Sequence, residues 1–113
     1  MARYTGVFTV AVDVENLKLI LTDILSYCGF EVVYIRGNYL MASEVHGQVV
    51  FSKLVTIDIN INIASNTEKI GINIVFRNEE IPLKLDNHCR QKFDLLSKSI
   101  IENPNWEYID SII

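Results

Sequence analysis

The sequence predicts an α+β domain: a five-stranded antiparallel sheet with two helices on one face, in the order β-α-β-β-β-β-α. Three observations carry this. Residues 55–64 alternate Val55, Ile57, Ile59, Ile61 and Ile63 with Thr56, Asp58, Asn60, Asn62 and Ala64, the period of a half-buried strand. Two other stretches place apolar residues at helical spacing, Leu17, Ile20, Leu21, Ile24 and Cys28 in one and Cys89, Phe93, Leu96 and Ile100 in the other. Finally, 50% of the 113 residues are hydrophobic, which suits a packed core and not a disordered chain.

The elements follow in order. Residues 4–12, rich in Val, Thr and Phe, read as a first strand. Asp13 stands at the N-cap of a helix over about 14–28, its carboxylate placed to accept an orphan backbone N–H, and Gly29 ends that helix. Phe30–Arg36 and Tyr39–Glu44 form a hairpin around Gly37 and Asn38, with a further turn near His46 and Gly47. After 55–64, the loop 65–68 reverses the chain. Ile70, Ile72, Ile74 and Phe76 then alternate with Gly71, Asn73, Val75 and Arg77.

Pairing Ile63 with Ile70 puts both apolar sets on one face and sets Asn60 against Asn73 and Thr56 against Arg77 on the other. Pro82 closes the strand region, Asp86 is expected to cap the second helix, and Asn103-Pro104 stops it near 102. The remainder, with Trp106, Tyr108, Ile109, Ile112 and Ile113, is too apolar to hang free. The expectation is one domain over 1–113, with 103–113 as a docking tail.

This order of elements resembles the TATA-binding-protein-like and helix-grip folds, in which a curved antiparallel sheet carries helices on one face. The resemblance spans the chain as an order of elements, without a family motif. It implies a curved sheet with the second strand at an edge, and nothing about function. The DNA-reading sheet of the first fold's namesake uses cationic and wedge-forming residues, which the Asn, Asp and Thr face here does not supply.

Composition excludes several functions. Ten Lys and Arg against fourteen Asp and Glu give a net charge of −4, the wrong field for phosphate backbones, so no nucleic-acid partner is expected. The longest uncharged stretches, 4–12 and 59–67, are far too short to span a bilayer, so no membrane association is expected. Two cysteines, Cys28 and Cys89, make no disulfide scaffold and suit the cytoplasm. His46 and His88 fall in no metal-binding spacing, and the five glycines in no phosphate-binding loop; neither a metal nor a cofactor is expected.

Three functional readings remain. The first is a non-enzymatic protein-binding or adaptor module, acting as a homodimer. In Phe30–Arg36, Phe30, Val32 and Tyr34 point one way while Val33 and Ile35 point the other, so both faces need cover, from the tail or from a second subunit. Its candidate interaction residues are Val33 and Ile35, Trp106 and Tyr108 of the tail, and Asp58, Asn60, Asn62, Asn73 and Arg77 of the polar face. The second is a carrier of a small apolar ligand, in a cavity lined by Phe8, Ile59, Ile72 and Phe93. The third is a thiol- or acid-based enzyme around Asp86, His88 and Cys89, where a helix N-terminus favours a thiolate. Glu79 and Glu80 read as solvated surface.

Overall fold

The computed structural model describes residues 1–45, 47, 49–63, 69–81 and 87–113. The expectations placed on His46, the loop 65–68, Pro82 and Asp86 lie outside them. The chain is α+β, in the order β1 (Ala2–Ala11), α1 (Val14–Tyr27), β2 (Phe30–Arg36), β3 (Tyr39–Glu44), a 3-10 turn (Phe51–Lys53), β4 (Thr56–Ile63), β5 (Lys69–Asn78), α2 (His88–Glu102) and β6 (Glu107–Ile112). The sheet is antiparallel, in the order β2-β3-β4-β5-β1-β6.

The strand count is the correction: among the described residues the sheet has six strands, not five. The tail adds β6 to the free side of β1 rather than packing on a face. Trp106 anchors that addition. Its ring is buried, and Nε1 donates to the Ile100 carbonyl at 2.9 Å, satisfying one of the acceptors that the end of α2 leaves open.

Helix α1 begins after Asp13, but the Asp13 side chain makes no capping bond. Its backbone carbonyl accepts from the amides of Asn16 and Leu17 instead. At the far end Gly29 takes a φ of +89°, which glycine adopts without the strain a Cβ would bring. Helix α2 is capped by Asn87, whose side chain accepts from the Arg90 amide at 2.9 Å.

Between β4 and β5 the register is the one the alternation required. Ile63 faces Ile70, Asn60 faces Asn73 and Thr56 faces Arg77. One face therefore presents Phe8, Val10, Leu40, Ala42, Ile57, Ile59, Ile61, Ile70, Ile72, Ile74 and Phe76, all buried. Both helices add their apolar stripes to this core, with α1 against β2 and α2 against β1, β5 and β6. Gly6 permits the close seating of α2, since a methyl there would lie 3.0 Å from the Phe8 ring and 3.3 Å from Phe93.

Phe76 stands at the centre of the aromatic packing. It meets Phe30 at 5.8 Å and Phe93 at 5.4 Å between ring centroids, both nearly perpendicular. Phe76→Ala removes both contacts and opens a cavity between sheet and α2. We expect a loss of about 3–5 kcal/mol in urea unfolding, against about 0.5 kcal/mol or less for a surface site.

Candidate functional site

The face of the sheet away from the helices carries the polar residues of the strands. Tyr39 and Arg77, reaching across from β3 and β5, converge on Asp58 of β4. The Tyr39 hydroxyl donates to Asp58 Oδ1 at 2.6 Å, and Arg77 Nη2 donates to Oδ2 as an ion pair. Accepting that proton, the Asp58 carboxylate holds the Tyr39 phenol above its ordinary pKa, with loss of solvent around the ring adding to the shift. Farther along, Asn60 and Asn73 lie opposite each other and Asn62 is exposed. Asn73 Oδ1 is buried without a hydrogen-bond partner among the described residues. Together with Tyr39, the five residues Asp58, Asn60, Asn62, Asn73 and Arg77 thus form a continuous polar strip, partly closed by its own ion pair.

Strand β2 is different. It forms one edge of the sheet, and a bulge interrupts its pairing with β3: Val32 faces Ala42, Tyr34 faces Met41, and Val33 is the extra residue between them. The bulge corrects the facing expected from strict alternation. Ile35 pairs with Leu40 and so shares the helix side with Phe30 and Val32, while Tyr34 and Arg36 fall on the open side with Tyr39. The strand is nevertheless poorly covered. Val33, Tyr34 and Ile35 are 53%, 47% and 53% exposed.

Nor does the tail cover β2, because β6 occupies the opposite edge. Of the two tail residues singled out from sequence, Trp106 is spent inside the chain. Tyr108 packs partly against the core, its hydroxyl 2.7 Å from Ser111 Oγ. Neither joins the exposed residues of β2.

A third constellation was hidden in the sequence. Glu80, read as solvated, is 7% exposed and sits under the start of α2. Its Oε1 accepts from the Cys89 amide at 2.9 Å and from Asn78 Nδ2 at 2.6 Å, and its Oε2 from the His88 amide at 3.0 Å. Burial pushes the Glu80 carboxyl upward, but the donors of Asn78, His88 and Cys89 outweigh it and hold the group below its ordinary value. Beside it, the imidazole Nε2 of His88 meets both oxygens of the buried Glu44 carboxylate, at 2.8 and 2.9 Å. Glu44 Oε1 also accepts from the Val55 amide at 2.9 Å.

A signal for Glu44 and Asn78 did exist. Glu44 follows Leu40 and Ala42 at a period of two, as Asn78 follows Ile74 and Phe76, and that parity points both inward.

This network fastens α2 to the sheet, and it does not activate Cys89. Burial, followed by the nearby Glu80 and Glu44 charges, pushes that thiol up to about 12. His88 is engaged with Glu44, and Cys28 and Cys89 are both buried and unbridged. Among the described residues no cluster of three or more His, Cys, Asp or Glu is suited to hold a metal ion, and no helix is long and apolar enough to cross a membrane. Phe8, Ile59, Ile72 and Phe93 are themselves fully buried in the core. Compared with known proteins, the sequence matches no family model and no curated protein.

Two outcomes follow from the network. Native Cys89 should resist a thiol reagent at pH 7–8 and react once the protein is unfolded; labelling of the native protein at the rate of a free thiol would contradict this. Glu80→Gln should cost about 1–3 kcal/mol near neutral pH, because it weakens the acceptor for two helix amides. The folded Glu80 carboxyl titrates below its ordinary value of 4.5, so its contribution is complete above that pH. It is lost as pH falls through the folded value, and urea unfolding of the two proteins should converge there.

Proposed function

We propose that the protein is a small non-enzymatic protein-binding module that acts as a homodimer through the free edge of β2. One observation carries the reading: an edge strand with three consecutive half-exposed apolar residues, Val33, Tyr34 and Ile35, and no cover from the chain's own tail. Such an edge offers unpaired backbone groups as well as apolar surface, and pairing removes both from water. The two buried, unbridged thiols accord with a reducing cytoplasmic setting. The carrier reading gains nothing from a core in which the four residues meant to line its cavity are buried. The enzyme reading gains nothing from a thiol held near 12.

Sedimentation equilibrium tests the proposal. The chain should associate between low and high micromolar concentration, and a strict monomer throughout would overturn it. Val33→Lys with Ile35→Lys should raise the dissociation constant by about tenfold or more while leaving the unfolding midpoint nearly unchanged, since both side chains are at the surface.

A further inference from the structure

Resting on that self-association, we infer that β2 pairs with β2 of a second copy in a single antiparallel register, with Glu31 of each chain facing Arg36 of the other. The argument begins with the bulge. Residues 31 and 36 are separated by an odd number of positions and would lie on opposite faces of a regular strand. The extra residue Val33 resets the alternation. Glu31 pairs with Ser43 and Arg36 with Tyr39, on the same open face, while Val32 and Ile35 pair with Ala42 and Leu40 on the helix side.

A two-fold axis perpendicular to the sheet, passing between residues 33 and 34, then produces three kinds of pair, each occurring twice. Glu31 meets Arg36 on the open face, Val32 meets Ile35 on the helix side, and Val33 meets Tyr34. Every charge faces its opposite, and the apolar residues face one another. Shifting the register by one residue either way destroys the match. One shift sets Glu31 against Ile35, the other Val32 against Arg36, and both pair residues from opposite faces.

Neither Glu31 nor Arg36 makes an ion pair or side-chain hydrogen bond among the described residues, and both are exposed. They are therefore available to a partner. The strand is self-complementary in charge, in facing and in hydrophobicity, which identifies the partner as another copy of this chain.

The assembly also closes. Both β2 edges are consumed by one pairing, so a two-fold contact through them stops at the dimer.

The test is a charge exchange read by sedimentation equilibrium. Glu31→Lys alone and Arg36→Glu alone each place two like-charged pairs in the interface and should raise the dissociation constant about tenfold or more. An equimolar mixture of the two variants restores opposite charges at both pairs of the mixed dimer, and should associate about as tightly as the original chain. That recovery also shows that both variants are folded. If either variant alone associates as tightly as the original, or the mixture remains monomeric, the register is overturned while self-association stands. A monomeric original chain overturns both.

Discussion

Register across the four inner strands decides which side chains share the core. Gly6, Ile74, Ile59 and Leu40 lie in one row across β1, β5, β4 and β3, and Tyr4, Phe76, Ile57 and Ala42 in the next. Each row brings its inward members under the helices together, so no strand's facing is independent of its neighbours. A slip of one residue in β4 would bring Asp58 and Asn60 beneath α1 and α2 and expose three isoleucines. The loss of apolar burial would be compounded by burying a carboxylate away from Arg77. Placement of the helices, of the polar strip and of the β2 edge all follows from this alignment.

Where the sheet's inward face runs out, its last members are polar. Glu44 and Asn78 occupy core-facing positions beyond Ala42 and Phe76, and each has its partners: the Val55 amide and His88 for Glu44, and Lys53 and Glu80 for Asn78. Buried groups of this kind cost stability when unpaired and add direction when paired. Here they give α2 a fixed starting point, which apolar packing alone, tolerant of sliding, would leave loose. Burial first, and then the charges of Glu80 and Glu44, explain why a cysteine at a helix N-terminus has a raised rather than lowered pKa: together they outweigh what the helix end offers a thiolate.

The sequence was most legible where alternation is unbroken. Residues 56–63 and 70–77 disclosed strand, facing and register together, because in a half-buried antiparallel pair one pattern dictates all three. The stripes of α1 and α2 were legible for the same reason at a different period. Two features escaped through one cause: Val33 and Ile109 are each an extra residue in a strand, and an extra residue resets parity without glycine or proline to announce it. The first made β2 look apolar on both faces, and the second obscured β6. The Glu80 network escaped differently. Its members come from β3, the end of β5 and the start of α2, and no local spacing relates them. Of the candidate site, the exposed stretch at Val33–Ile35 was visible as composition, whereas its matching with Glu31 and Arg36 depended on the bulge.

The Val33 bulge has a consequence for chain length. Were Val33 deleted, the six remaining residues of β2 would match the six of β3 one for one, with Phe30, Val32 and Ile35 still inward. The hairpin can therefore exist in two lengths over an identical interior. An insertion at an outermost strand alters what the molecule shows to its surroundings and spares everything beneath. In such a fold, new surface chemistry can arise by counting residues differently rather than by exchanging them.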